Sequence, residues 1–363
     1  MKRILIVVGT RPNFIKVTQF KKVAEQYPNL EIKIVHTGQH YEQNLSDVFF
    51  SQFGIQPDFF LNVVPASPNV QMAEIMISLE RVLHDYKPDL VMVPGDVNST
   101  LAAAITTNKC KMKLAHIESG LRSYDRTMPE EFNRIATDIF SDYLFITEQS
   151  GIDNLRKEGR SDEGMFFVGN TMIDTLVAFD SVIQKSDVMS RLNAERKKFI
   201  LMTMHRPSNV DTKAGLDKLL ELVKIISDKH KIIFPVHPRT LKNMEANNLL
   251  GDFRFLKNLV FTEPMDYFSF QKLVSESLCI ITDSGGVQEE STFRKVPCLT
   301  LRPNTERPVT IDLGTNEIVP FDSKIISQKI SDIENGKFKK GIIPPLWDGK
   351  ATERIMKIIQ GLL

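Results

Sequence analysis

The sequence predicts an α/β protein of two doubly wound, Rossmann-like domains, each built on a parallel sheet. Three observations carry that expectation. Short apolar runs alternate with longer segments of helical period almost throughout the 363 residues. The whole alternation begins again after residue 190. A chain of this length also exceeds what one hydrophobic core comfortably fills. With 42% hydrophobic and 25% charged residues, there is enough apolar mass for two ordinary globular interiors.

In the first half, RILIVV (3–8), IKIVHT (32–37), LVMVPG (90–95), KLAHIE (113–118), YLFITE (143–148) and FFVGN (166–170) read as strands. Their apolar character is near-continuous, as required where helices cover both faces of a sheet. NVQMAEIMISLERVLHDY (69–86) has helical period between two of them. In the second half the strands are KFILMTMH (198–205), KIIFPVH (231–237), LVFTEP (259–264), LCIITDSGG (278–286) and PCLTL (297–301). The helix AGLDKLLELVKIISDKH (214–230) repeats apolar residues at 3.6-residue spacing. The stretch from Val168 to Lys198 reads as a crossover followed by a polar helical connector. The domains are therefore expected at 1–170 and 171–349. Periodicity alone lets the last helix, KATERIMKIIQGLL (350–363), pack on either of them.

Charge and cysteine content exclude several classes of function. Lysine and arginine (46) nearly cancel aspartate and glutamate (45), so no general field draws nucleic acid or anionic membrane. Cys110, Cys279 and Cys298 are far apart and form no CxxC or CxxH pair, which reads as small buried residues in a reducing compartment. The apolar run in MKRILIVVGTRP is too short for a signal sequence or a membrane span, and no window approaches eighteen apolar residues. A cytoplasmic protein is expected.

Ligands of open parallel sheets bind beyond the carboxyl ends of the strands. Those ends carry Gly9-Thr10-Arg11, His36, Gly95-Asp96, His116 with Glu118, His205-Arg206, His237 with Arg239, and Asp283-Ser284-Gly285-Gly286. In DSGGVQEE (283–290), Gly285 and Gly286 leave backbone N–H groups open at a helix start, where an anion is favoured, and Ser284 adds a hydroxyl. Glu290 falls two turns into that helix, in reach of ribose hydroxyls. GTRPNFIK (9–16) offers Arg11 and Lys16 as a second anion loop, and LRPNTERP (301–308) offers Arg302 and Arg307 as a third. Cationic loops from both domains suit a diphosphate. The acids need another task, because they would repel phosphate. Asp96, Glu118 and Glu130 or Glu131 are candidates for proton transfer, unless they serve as salt-bridge partners of Arg122, Arg126 and Arg134. No HExxH spacing suggests a metal, and no GxGxxG suggests a dinucleotide.

Together these motifs resemble the non-hydrolysing UDP-N-acetylglucosamine 2-epimerases, nearly end to end. The resemblance runs through GTRPNFIK, HTGQH, GDVNST, HIESGLRS, MPEEFNR, GNTMID, HRPSN, PVHPR, TDSGGVQEE, TERP, GTN and WDGKATERI. It implies a GT-B-type arrangement with the active site in an interdomain cleft, a last helix that crosses back to the first domain, and a homodimer. The implied reaction is reversible epimerisation at C2 of a UDP-N-acetylhexosamine, UDP-GlcNAc to UDP-ManNAc, needing neither NAD nor metal. UDP is eliminated to leave a bound 2-acetamidoglucal and is then re-added.

Carried over residue by residue, Asp96, Glu118 and Glu130 are the catalytic carboxylates, and His205 lies beside the leaving diphosphate. Arg11, Lys16, Arg134, His237, Ser284, Gly285, Gly286, Glu290 and Arg307 hold the substrate or its UDP, with Phe270 beside the uracil. Gln39, His40 and Gln71 form a candidate effector site, although Val70-Gln71 stands where regulated members have Arg-Gln. Asn13 and Val309 replace a frequent Glu at two positions near the site. Those departures leave open a related UDP-sugar, 2,3-diacetamido-uronic or 6-deoxy. A retaining GT-B glycosyltransferase and a silent nucleotide-sugar sensor are the further alternatives.

Overall fold

The computed structural model describes residues 1–39, 50–64 and 66–363. They divide into two compact units, Met1–Ala178 with Pro345–Leu363, and Phe179–Pro344. Each is a doubly wound α/β unit on one all-parallel sheet.

The first unit holds β1 (Lys2–Val8), β2 (Leu30–His36), β3 (Phe59–Phe60), β4 (Leu90–Pro94), β5 (Lys113–Ser119), β6 (Tyr143–Ile146) and β7 (Met165–Phe167). Their order across the sheet is β3-β2-β1-β4-β5-β6-β7. Residues Ile4–Val8 are fully buried, because helices cover both faces of the central strand. Helix Pro68–Tyr86 begins with a proline at its first turn and stops at Lys87 in the left-handed conformation. It lays Ile75, Leu79, Leu83 and Tyr86 on the core, one residue per turn. Each such buried leucine contributes about 1.5–3 kcal/mol of hydrophobic stabilisation.

The second unit holds β8 (Phe199–Thr203), β9 (Lys231–Pro235), β10 (Leu259–Thr262), β11 (Cys279–Thr282), β12 (Cys298–Thr300) and β13 (Asn316–Ile318), in the order β10-β9-β8-β11-β12-β13. Helix Lys213–Ser227 starts where Thr212 Oγ1 accepts the Gly215 N–H at 3.1 Å. It buries Leu216, Leu219, Leu220, Val223 and Ile226 against β8 and β9 side chains such as Ile200 and Ile232.

Both boundaries of the first unit differ from the sequence expectation. It runs to Ala178 rather than 170, because helix Thr171–Ala178 buries Met172, Ile173 and Leu176 and carries Asp174. It resumes at Pro345 rather than 350, because Trp347, 1% exposed, donates its indole N–H to the Thr147 carbonyl at 3.1 Å. The last helix, Ala351–Leu362, has no side-chain cap from Lys350, the residue before it. The Asp174 carboxylate does that work, accepting the N–H groups of Ala351 (3.0 Å) and Thr352 (2.5 Å). Burial lifts the Asp174 carboxyl to about 6 despite these donors.

No helix among the described residues is long and apolar enough to cross a membrane.

Candidate active site

In each sheet the strand order reverses once, between β1 and β4 and between β8 and β11. Crossovers leave in opposite directions there, opening a crevice beyond the carboxyl ends. The candidate residues gather at these two places.

In the first unit, Gly9-Thr10-Arg11 follows β1 and Gly95-Asp96 follows β4. Asn13 ties the two. It accepts from Thr10 Oγ1 (3.0 Å) and donates to the Pro94 carbonyl (3.0 Å). Gly95 has φ +68°, and a Cβ there would come within 3.1 Å of Lys16 Nζ, so glycine is what lets the lysine in. Lys16 ends against Glu118 in a buried ion pair. Lys16, a candidate for the substrate anion, neutralises a carboxylate here, as does Arg134 below.

Glu118 is a β-bulge in β5, where the pairing with β6 shifts register between Ile117 and Ser119. Its φ is +70°, a left-handed conformation that costs a non-glycine residue roughly 1–3 kcal/mol. A regular strand would alternate side chains across the sheet, and the bulge re-aims this one. It is 5% exposed.

Asp96 is 22% exposed and lies 2.5 Å from Arg134, which sits equally close to Glu131. Glu131 is buried and saturated. It also accepts Ser123 N–H (2.9 Å), Ser123 Oγ–H (2.8 Å) and Tyr124 N–H (2.9 Å). Glu130, one residue earlier on helix Pro129–Phe140, is half-buried and makes no side-chain hydrogen bond or ion pair among the described residues. The salt-bridge alternative therefore describes Glu131 and, through the same Arg134, also Asp96, while Glu130 keeps its carboxylate available. Asn133 fixes the same corner by donating to the Asp96 carbonyl at 2.9 Å.

His116, fully buried in β5, faces away from solvent. Its Nδ1 lies 2.6 Å from Asp138 and its Nε2 lies 2.7 Å from the Gly95 carbonyl. Asp138 also takes the Gly120 N–H at 3.1 Å and pairs with Arg122 at 2.7 Å. Burial would raise the Asp138 carboxyl, but His116 and Arg122 together hold it below the usual carboxylate range.

In the second unit, Asp283 at the end of β11 reaches across to the end of β8. Its carboxylate accepts the N–H groups of His205 (3.1 Å) and Arg206 (2.9 Å) and the Asn209 amide (3.0 Å), and lies 3.1 Å from His205 Nδ1. Burial works against the charge, yet these donors keep the carboxyl below its ordinary value. His205 is left 39% exposed, its ring 5.4 Å from that of His237.

Ser284 precedes helix Gly285–Arg294. A Cβ on Gly285 would come within 2.8 Å of both Arg307 Nη1 and Glu306 Oε1, so this glycine admits the loop that carries Arg307. Arg307 pairs with Glu306 and, at 2.7 Å, with Glu289; Arg302 pairs with Glu306 at 2.9 Å. Gln288 links loop to helix, donating to the Ser284 carbonyl and accepting from Thr305 Oγ1 and Asn316 Nδ2. Glu290 is buried, and burial pushes its carboxyl up to about 7. Phe270 is half-buried on helix Tyr267–Glu276, packed on the core that includes Leu273 and Val287.

Of the candidate effector residues, Gln39 and Gln71 come together, the Gln71 amide donating to the Gln39 carbonyl at 3.3 Å, while Gln39 Oε1 accepts from Ser99. His40 lies outside the described residues. Glu80, His84 and Cys110 bring three metal-type donors within 4.8 Å of one another. Glu80 and His84 lie in the second half of helix Pro68–Tyr86 and Cys110 directly follows helix Asn98–Lys109, so the group precedes β4 and β5 rather than following their carboxyl ends.

Sequence reasoning passed over Asp138, Asn209, Gln288 and Asn316. Each sits inside a recognised motif or a plain helix, and only its hydrogen bonds reveal that it holds a neighbour in place.

Residues 22–360 match a family model described as UDP-N-acetylglucosamine 2-epimerase. The UDP-N-acetylglucosamine 2-epimerase of Methanocaldococcus jannaschii is 38% identical over 363 residues, covering 98% of both chains. The UDP-2,3-diacetamido-2,3-dideoxy-D-glucuronate 2-epimerase of Pseudomonas aeruginosa is 37% identical over 321 residues, 87% of this chain and 88% of that one. A crystal structure of the M. jannaschii protein in complex with UDP-GlcNAc and UDP aligns with a TM-score of 0.89 at 38% identity, over 99% of this chain and all of the other.

Proposed function

The chain belongs to the UDP-N-acetylglucosamine 2-epimerase family, and on that premise we propose how its two strand-end sites share the reaction. It is an isomerase that interconverts UDP-GlcNAc and UDP-ManNAc. The carboxylates of the first unit handle the C2 proton, and the helix Gly285–Arg294 corner of the second unit holds UDP.

As the C1–O bond to UDP lengthens, positive charge grows on the sugar ring and acidifies the C2–H. One carboxylate among Asp96, Glu118 and Glu130 accepts that proton, and the C–H electrons form the C1=C2 bond of 2-acetamidoglucal. The departing UDP carries the negative charge. Arg307, Ser284 and the N–H groups of Gly285 and Gly286 are suited to stabilise it, with His205 beside it. Return of a proton to the opposite face of C2, from a protonated carboxyl, lets the UDP oxygen rejoin C1. Arg11, His237, Glu290 and Phe270 belong to substrate binding in this reading. Lys16 and Arg134 act through the acids that they neutralise.

The observation that carries this reading is Glu118, a non-glycine residue held at positive φ in a bulge beside a buried lysine. Strain of that kind persists where its surroundings impose it, and it clusters at functional sites. The test is proton NMR of UDP-GlcNAc incubated with the protein in deuterated water. Deuterium at C2 together with a UDP-ManNAc signal is expected; a UDP-GlcNAc sample unchanged in both respects overturns the substrate assignment.

The Pseudomonas relative favours a second reading, because identities of 37% and 38% do not separate two substrates. The same experiment with the 2,3-diacetamido-glucuronate compound decides between them by relative kcat/KM. A cytoplasmic homodimer belongs to the same proposal, and light scattering tests the dimer.

A further inference from the structure

From the contacts of His116 we infer that this residue is a doubly protonated imidazolium whose pairing with Asp138 positions all three candidate catalytic carboxylates. The inference rests on the reading of Asp96, Glu118 and Glu130 given above.

Both ring nitrogens of His116 face oxygens, Nδ1 a carboxylate at 2.6 Å and Nε2 the Gly95 carbonyl at 2.7 Å. A carbonyl oxygen only accepts, so Nε2 must carry a proton to justify the approach. Asp138 accepts as well, because it already takes the Gly120 N–H and pairs with Arg122. An ionised carboxylate with these two partners has no proton to donate to Nδ1. A neutral ring would leave two lone pairs opposed in a site with no exposure to water, and both tautomers suffer from this.

The placement of these bonds supplies the function. Gly95 immediately precedes Asp96, so the Nε2 bond fixes the backbone that carries this carboxylate. Gly120 follows Glu118 by two residues, so the Asp138 bond closes the bulge on its far side. Asp138 stands on the helix Pro129–Phe140 that also carries Glu130. One buried pair thus joins the end of β4, the end of β5 and that helix, each bearing one of the three carboxylates. His116 itself lies at the back of the strand ends and touches none of the reacting groups in this scheme. It is a positioning residue.

Two measurements test this. In nitrogen-15 spectra of the wild-type protein at neutral pH, both ring nitrogens of His116, assigned by loss in H116Q, are expected to show the protonated shift. A deprotonated nitrogen at neutral pH overturns the imidazolium. Glutamine cannot donate in both directions, so folded H116Q is expected to lose roughly 10- to 100-fold in kcat, with KM for the UDP-sugar within about twofold. Deuterium incorporation at C2 should fall by the same factor. Turnover within about twofold of wild type in folded H116Q overturns the positioning role. If H116Q does not fold, replacing the six other histidines in turn assigns the His116 signals by elimination, and the wild-type spectra still decide its protonation. D96N and E118Q, assayed alongside, keep the two claims separate. Full activity in both defeats the catalytic reading, whereas their loss beside an active H116Q defeats only the inference about His116.

Discussion

The crevices at β1/β4 and at β8/β11 occupy the same position in the same topology and are built with opposite polarity. In the first, the groups offered to a ligand are acidic, and buried cations aim them: Lys16 beside Glu118, and Arg134 beside Asp96. In the second, the exposed group is His205, and buried acids do the aiming, with Asp283 under His205 and Glu289 and Glu306 around Arg307. A parallel sheet supplies a place for chemistry without choosing it. The choice rests on which charge is buried to orient the other, and burying a charge without its partner is costly.

That contrast can be broken most forcefully at the acids. Asp96→Asn, Glu118→Gln and Glu130→Gln should each lower turnover by about 100- to 10,000-fold, as expected when a positioned proton-transfer group is lost, while UDP affinity in the second unit changes little. Kinetic constants together with UDP titration by calorimetry check both halves of the statement. A parallel loss of UDP binding would show that the two crevices are not divided in this way.

The second prediction concerns the anchor of the other crevice. Asp283→Ala leaves the His205 and Arg206 N–H groups and the Asn209 amide without their acceptor. It should destabilise the second unit by about 3–5 kcal/mol, read from urea unfolding, because one side of a buried polar cluster is removed. An unchanged midpoint would mean that the cluster contributes nothing.

The smallest effect, at Glu290, depends on pH. Burial raises its carboxyl from 4.5 to about 7, so ionising it opposes folding. The contribution is fully favourable below pH 4.5 and is lost as pH rises through about 7, amounting to about 3 kcal/mol at most. Glu290→Gln cannot ionise and should gain stability relative to wild type between pH 5 and 7.5. Parallel unfolding midpoints across that range would place Glu290 in a more polar setting than its burial indicates.

The sequence made the central strands and both crevices legible. Runs such as Ile4–Val8 have one physical explanation, and the residues following them are located by the rule for parallel sheets. The edge strands β3 (Phe59–Phe60) and β13 (Asn316–Ile318) left no such trace, since two or three residues show neither alternation nor a run. Ion-pair partners were equally hidden. Lys16 looks like a phosphate ligand until the bulge at Glu118 brings a carboxylate to it, and a bulge leaves no signature in a strand of mixed residues. The adjacent pair Glu130 and Glu131 shows the same limit, because it is Ser123, Tyr124 and Arg134, brought together by the fold, that separate the saturated glutamate from the available one.

The return of the chain to its first unit at Pro345 makes the second unit an insertion. On the ribosome, Phe179–Pro344 is complete while the first unit still waits for its last segment. The earlier-made half of the protein is thus the later one to be finished. Asp174 must remain without the amides of Ala351 and Thr352 until those residues have been made. The chain carries a built-in reporter of that event. Its single tryptophan, Trp347, lies in the closing segment and is buried against Thr147, so indole fluorescence follows the moment at which the first unit is sealed.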